Sequence, residues 1–130
     1  MIELASDPRN VSRIDGLVQK IVQDFRISPN KYGDILVSLT EAVNNAIVHG
    51  NRRDASKKVK IDYRKIHHNR LAILVSDQGE GFDPRQVSDP TCPENLERCG
   101  GRGVYLMRQL CDDVQYHNNG STIEMQFNIR

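Results

Sequence analysis

The segment EAVNNAIVHGN, residues 41–51, combines a helical pattern with polar residues at fixed positions. Apolar residues in and before it recur three and four apart, which predicts an amphipathic helix over about residues 30–48. Gly50 follows as a candidate left-handed cap that ends this helix. Glu41 and Asn45 lie one turn apart and off the apolar stripe, so a carboxylate and a carboxamide are expected to project together from one helix.

The pair Glu41 and Asn45 has a chemical interpretation and a plain structural one. A carboxamide oxygen is a hard ligand that suits Mg²⁺ beside phosphate oxygens. A carboxylate can take a proton from an attacking hydroxyl or water. The alternative is an ordinary solvated helix face, and the pair alone leaves both interpretations open.

The pattern on either side of this helix predicts one α+β domain over residues 1–130. Periods of 3.6 predict helices and periods of two predict half-buried strands. The other predicted elements are a strand at 2–5, a helix over about 11–25, strands at 59–63 and 71–75, a helix from about 100, a strand at 114–116, a turn at 118–120 and a strand at 122–129. This order predicts a two-layer α+β sandwich, in which a mostly antiparallel mixed sheet is covered on one face by about three helices.

A second motif, DQGEG over residues 77–81, directly follows the continuous apolar strand. A carboxylate at a strand end is held rigidly, and Asp77 can accept a hydrogen bond from an exocyclic amine such as that of adenine. Gly79 and Gly81 allow a sharp turn and the close approach of a flat base. An ordinary glycine-rich turn is the alternative. The acidic ligand series of an EF-hand is missing, which argues against a Ca²⁺ loop.

A third motif, GGRG over residues 100–103, opens a predicted helix. Unpaired N–H groups at a helix start form an anion site, and glycines let phosphate oxygens reach the backbone. Arg98 and Arg102 flank the glycines and can meet a terminal phosphate. A loop hinge is the alternative. Three prolines fall within residues 84–93, so residues 83–100 are predicted to form an irregular lid.

Together, the three motifs resemble the conserved boxes of the histidine-kinase-like ATPase superfamily, which has the Bergerat nucleotide-binding fold. Residues 41–51 are similar to its N box, residues 77–83 to its first glycine box, and residues 101–107 to its second. Residues 119–122 lie where a last, weaker Gly-Thr box is expected. Within the superfamily, the likeness is greatest to the anti-sigma factor serine kinases, whose lid also holds a Glu-Arg pair, here Glu97-Arg98.

The resemblance implies a role for each matching residue. Glu41 would be the general base that activates a serine or threonine hydroxyl of the partner, an anti-sigma factor antagonist. Asn45 would bind Mg²⁺ and Asp77 the adenine amine, while Arg98 would reach the terminal phosphate. The implied nucleotide-binding residues are Asn45, Asp77, Gly79, Gly81, Arg98, Gly101, Arg102, Gly103 and Thr122. The resemblance also implies ATP and Mg²⁺ as cofactors, a sigma factor as a second partner, and a homodimer.

Two features depart from the family pattern. One extra residue separates Glu97-Arg98 from the glycines, and Arg102 stands where a smaller or apolar residue is usual. Both concern the geometry of the lid and the phosphate contacts rather than the fold.

Composition sets limits on the functions to consider. The 130 residues carry 18 Lys and Arg against 17 Asp and Glu, a net charge of +1 that argues against bulk nucleic acid or an anionic membrane as partner. No apolar run reaches the roughly 18 residues of a membrane helix, and no export signal is evident. Three cysteines without CxxC spacing favour neither a disulfide scaffold nor a zinc site. A cytoplasmic location is the simplest expectation.

Two further functions compete with a protein kinase. One is a nucleotide-dependent switch that sequesters a partner without phosphotransfer; the presence of Glu41 argues against it. The other is the catalytic part of a histidine kinase acting in trans, since no phosphoacceptor helix is recognised before residue 30.

Overall fold

The computed structural model describes residues 2–67, 69–79 and 107–129. The predicted lid over about residues 83–100 and the glycine-rich segment 100–103 lie outside these residues. The described part contains five strands, two helices with both ends defined, and helical residues 107–110.

The strands form a single sheet in the order β1-β2-β3-β5-β4. They are β1 Ile2–Ala5, β2 Lys58–Ile66, β3 Arg70–Ser76, β4 Asp113–His117 and β5 Thr122–Asn128. All four strand pairings within the described residues are antiparallel, so the parallel component of the predicted mixed sheet is not found there. Strand β3 lies at the centre of the sheet, which explains its nearly continuous apolar sequence.

Two helices precede β2 in the chain. Helix α1 spans Ile14–Asp24 after a 3-10 turn at Pro8–Arg13, which Asp7 caps by accepting a hydrogen bond from the backbone N–H of Arg9. Helix α2 spans Tyr32–Asn45 and continues into a π-helical turn at Ala46–Gly50. The predicted helix over 30–48 therefore exists, but its last turn is wider than an α-helix.

The core lies between the helices and one face of the sheet. Register puts Ile61, Val75 and Ile123 in one row across β2, β3 and β5. These residues belong to one buried cluster with Ile21 of α1 and Leu39 of α2. Burying each such side chain contributes roughly 1.5–3 kcal/mol, so this layer fixes the position of α2 over the sheet.

The opposite face of the sheet is largely polar. Ser76 and Thr122 are paired in register there, and His117 follows in the same row. The Nε2 of His117 lies 3.2 Å from a carboxylate oxygen of Glu124. Alternation along each strand thus separates a packed face from a hydrophilic one, as expected for an antiparallel sheet with helices on one side.

One local prediction is wrong. The sequence predicts a left-handed helix cap at Gly50, but Gly50 does not have a positive φ. The left-handed backbone angles nearest the end of α2 occur at Arg52 and Arg53, with φ of 52° and 59°. Gly50 is instead required by a close approach. A Cβ added at Gly50 would overlap the carboxylate of Asp77.

Candidate functional site

A cleft of about 190 Å³ opens between the end of α2 and the sheet. Its lining includes Ala42, Asn45, Ala46, His49, Gly50, Arg52, Val75, Asp77, Met107, Tyr116, Gly120, Ser121 and Ile123. The apolar members form a surface that suits a flat aromatic base, and the polar members can fix the orientation of a ligand. Two residues from different sequence motifs, Asn45 and Asp77, therefore line one cleft.

The end of α2 and its π-helical turn contribute several of the residues that line this cleft. Ala42, Asn45 and His49 recur three and four apart and all line it. Ala46 and Ile47 of the π-helical turn are buried, which anchors this end of the helix on the core. Asn45 is partly exposed, and its side chain makes no hydrogen bond to another described residue, so its carboxamide oxygen is free to bind a ligand.

Asp77 is held by the backbone around it. Its N–H donates to the carbonyl of Ser121 at 2.9 Å, and its Oδ1 accepts a hydrogen bond from the N–H of Gly79 at 2.8 Å. Among the described residues, no donor is bonded to Oδ2. This oxygen is therefore left to accept a hydrogen bond from a ligand. The carboxylate lies against the Cα of Gly50. A side chain at position 50 would therefore displace it.

Burial raises the pKa of the Asp77 carboxyl above its usual value, and this is the largest influence on it. The hydrogen bond from Gly79 and the charge of Lys57 act in the opposite direction and favour the ionised form. A carboxylate that is partly desolvated and partly hydrogen-bonded binds an amine donor more strongly than one in open solvent, because less water must be removed.

His49 lies in the same cleft, one turn after Asn45. Burial lowers its pKa below the ordinary value, and the positive charge of Arg53 lowers it further. The imidazole is therefore neutral at pH 7 and presents one donor and one acceptor nitrogen.

Glu41 lies on α2 one turn before Asn45, as the sequence predicts. Its side chain is partly exposed and has no ion pair with another described residue. It is not among the residues that line the cleft, so it is available at the neighbouring surface of the helix. Its proposed role as general base stays a prediction.

The structure does not bring Thr122 to the cleft. Its hydroxyl is paired with that of Ser76 at 3.0 Å on the polar face of the sheet. The preceding residues Gly120 and Ser121 line the cleft instead, and the Ser121 carbonyl holds the N–H of Asp77. Because side chains alternate along a strand, moving the assignment by one residue changes the face. Ser121 is therefore the better candidate for the role expected of Thr122.

Gly79 contacts the helix end rather than the open cleft. A Cβ added at Gly79 would overlap the carbonyl oxygen of Gly50, so these two backbones touch. The remaining predicted nucleotide-binding residues lie outside the described residues, and their roles stay predictions; they are Gly81, Arg98, Gly101, Arg102 and Gly103.

Sequence reasoning missed the contribution of Asn51, which is fully buried and contacts the residue directly after Asp77. Its Oδ1 accepts a hydrogen bond from the N–H of Gln78 at 2.7 Å. The signal available in the sequence was an asparagine directly after the helix, where a capping role is common. The partner, Gln78, is 27 residues away, and local pattern does not reveal it.

The described residues of the cleft are compatible with the implied Mg²⁺. Within residues 2–67, 69–79 and 107–129, no group of three or more His, Cys, Asp or Glu could hold a metal ion. Mg²⁺ in nucleotide sites takes one or two protein oxygens, substrate phosphates and waters, so it does not need such a group. The free carboxamide oxygen of Asn45 fits this mode of binding.

Comparison with known proteins gives one family over nearly the whole chain. The family described as the histidine kinase-like ATPase domain matches residues 4–127. The chain is 31% identical to the serine-protein kinase RsbW of Bacillus subtilis strain 168 over 131 residues, covering 95% of the chain and 81% of that protein. It is also 31% identical to RsbW of Bacillus licheniformis, in a match that covers 91% of the chain and 78% of that protein.

Another relative, RsbW of Oceanobacillus iheyensis, is 32% identical over 91 residues; the match spans 65% of the chain and 57% of that protein. Among solved structures, the histidine kinase domain of a blue-light activated histidine kinase from Erythrobacter litoralis EL346 is similar, with a TM-score of 0.55 and 23% identity, covering 76% of the chain and 45% of that domain. At this identity the structural likeness concerns the fold alone.

No described helix is both long and apolar enough to cross a membrane.

Proposed function

The chain belongs to the histidine kinase-like ATPase family, as a relative of the RsbW serine-protein kinases, and we propose that it transfers the terminal phosphate of ATP to a serine or threonine of a partner protein. The observation that carries this proposal is the convergence of Asn45 and Asp77 on one cleft from two separate elements. Phosphoryl transfer depends mainly on positioning and on stabilisation of charge, which such a cleft supplies.

Each described residue has a definite part in the proposed reaction. Asp77 accepts a hydrogen bond from the adenine amine at the base end of the cleft, where its Oδ2 is free. The carboxamide of Asn45 holds Mg²⁺, which when bound neutralises charge on the phosphates. Glu41, one turn before Asn45, accepts the proton of the attacking hydroxyl. The carbonyl of Ser121 keeps Asp77 in place by accepting its N–H.

The finer proposal is that the protein acts as an anti-sigma factor within a bacterial partner-switching module. Its substrate is then an anti-sigma factor antagonist, and its second partner is a sigma factor. Support comes from the RsbW relatives and from the N-box-like segment 41–51. A homodimer and a cytoplasmic location belong to the same proposal; analytical ultracentrifugation tests the dimer.

Intact-mass spectrometry tests the proposal most directly. The purified protein is mixed with Mg-ATP and the antagonist-type protein encoded nearest to it. We expect the partner to gain one phosphate on a serine or threonine, and we expect Asn45→Ala to abolish the gain. An unchanged mass in the presence of tight ATP binding would favour the alternative, a nucleotide switch without phosphotransfer. Absence of ATP binding would refute the assignment of the cleft.

Replacement of Glu41 tests the general base separately. Glu41→Ala should leave ATP affinity nearly unchanged, because Glu41 is outside the lining of the cleft. Single-turnover transfer to the partner should fall by about 10²–10⁴-fold, the usual contribution of a positioned base. Transfer at the wild-type rate in Glu41→Ala would exclude this role.

A further inference from the structure

The side chain of Asn51 connects three separate segments of the chain. Its Nδ2 donates to the Oγ of Ser6 at 2.6 Å and to the carbonyl of Lys58 at 3.0 Å. Its Oδ1 accepts from the N–H of Gln78 at 2.7 Å. The residue is 0% exposed, so each of these bonds replaces a bond to water and leaves an unsatisfied polar group if it is lost.

Only one of these three bonds reaches the loop that carries Asp77. The bonds to Ser6 and Lys58 reach the residue directly after β1 and the first residue of β2, and these two strands lie at one side of the sheet. The bond to Gln78 joins the end of α2 to the residue directly after Asp77. Asn51 is itself fixed to the helix, because its N–H donates to the carbonyl of Ala46 at 2.8 Å.

The contact between the helix end and the loop is tight on both sides of this bond. The Asp77 carboxylate lies against Gly50, and Gly79 lies against the Gly50 carbonyl. With the loop fixed at Gln78, the carboxylate cannot move toward the helix without overlapping the backbone at Gly50. The depth of Asp77 in the cleft is thus set by the two glycines, by the bond of its own N–H to Ser121, and by the two bonds that hold Gln78. One of these joins the N–H of Lys58 to the Oε1 of Gln78 at 2.6 Å, and the other, from Asn51, is the one that ties the loop to the end of α2.

From this geometry we infer that Asn51 is a positioning residue that determines the base specificity of the cleft. The inference rests on the proposed function, in which Asp77 accepts a hydrogen bond from adenine. Guanine presents a carbonyl oxygen where adenine presents its amine, and a carboxylate repels that oxygen. Discrimination therefore depends on a carboxylate that is held at a fixed depth, and Asn51 holds it there through Gln78.

Binding of non-hydrolysable ATP and GTP analogues to Asn51→Ala and to wild type tests the inference, with calorimetry at fixed Mg²⁺ and 10 °C. We expect wild type to prefer the ATP analogue. In Asn51→Ala the affinity for the ATP analogue should fall by roughly 10- to 100-fold while that for the GTP analogue changes little, since an unpaired donor lets the loop shift. In the kinase assay, the KM for ATP should rise without a matching loss of kcat.

Ser6→Ala is the matched control, because it removes a partner of Asn51 in the same buried network and leaves the bond to Gln78 intact. It should lower the melting temperature and keep the ATP-to-GTP preference. Asn51→Asp is the second variant: it keeps an acceptor for Gln78 and loses both Nδ2 bonds, so it should lower stability and retain the preference.

The outcomes separate the inference from the proposed function. Wild type that binds neither analogue refutes the nucleotide cleft itself. Wild type that prefers ATP, together with Asn51→Ala that keeps the same preference, refutes the positioning role and leaves Asn51 as a purely structural residue. Loss of the preference for the ATP analogue in Ser6→Ala or Asn51→Asp also overturns the inference, because the preference would then depend on bonds other than the one to Gln78.

Discussion

Two neighbouring pairs of residues, where β3 ends and β5 begins, face opposite sides of the sheet and have different roles. Ser76 and Thr122 are hydrogen-bonded to each other on the polar face. One step along, Asp77 and Ser121 are joined through the backbone and both line the cleft. A position one residue away in sequence thus lies on the other face of the sheet, so assigning a residue of a motif to the cleft requires knowing which face that residue occupies.

Asp77→Asn should give the largest difference between the two pairs. The amide loses the charge-assisted hydrogen bond to an adenine amine, which is worth about 1.5–3 kcal/mol, or roughly 10- to 150-fold in affinity. Ser76→Ala, one residue earlier on the other face, should change ATP affinity by less than about two-fold. Calorimetric titration with an ATP analogue measures both. Equal losses in the two variants would contradict the assignment of the faces.

Gly50→Ala should have the next largest effect, since the new Cβ overlaps the Asp77 carboxylate. We expect a loss of about 1–3 kcal/mol of stability from overpacking, with weaker ATP binding. Gly16→Ala and Gly33→Ala are matched helical controls, because a Cβ at either position meets nothing within 4 Å. These controls should be neutral or stabilising by up to about 1 kcal/mol. Chemical denaturation distinguishes the three variants.

Thr122→Val should have a smaller effect, and on stability rather than on ATP binding. It removes the hydroxyl that is bonded to Ser76 and that accepts from the Nδ2 of Asn118, and it keeps the shape of the side chain, which should cost about 1 kcal/mol of stability. Because Thr122 is outside the cleft, ATP affinity should stay within about two-fold of wild type. A large loss of ATP affinity with little loss of stability would restore Thr122 as a nucleotide-binding residue.

The smallest effect concerns the titration of His49, which nuclear magnetic resonance measures directly. Its pKa should lie below the ordinary value of 6.5 because of burial first and Arg53 second. Arg53→Gln should therefore raise the pKa of His49, while the part caused by burial remains. The folded state binds this proton less well than the unfolded state, so the contribution of His49 to stability is present above about pH 6.5 and decreases as the pH falls below it. A pKa at or above 6.5 in wild type would contradict the desolvation of this ring in the cleft.

Most of the fold was predictable from local pattern. The apolar spacing of α1 and α2, the alternation of β2 and β5, and the continuous apolar run of β3 all follow from the periods of helix and strand. The end of α2 was not predictable in this way. Helical periodicity does not distinguish the π-helical turn from a further α-helical turn, and the close contact of Gly50 with Asp77 involves a segment 27 residues later in the chain.

For the candidate site, the sequence determined which chemical groups are present and their order: a carboxylate and a carboxamide one turn apart on a helix, and an aspartate after a central strand. Helix geometry is local, so the first pair could be read directly. Tertiary structure alone decided that Asn45 and Asp77 line one cleft, that Ser121 rather than Thr122 joins them, and that Asn51 anchors the Asp77 loop. The physical reason is that strand register and the packing of α2 on the sheet are set by contacts distant in sequence, and these contacts fix which side chains meet.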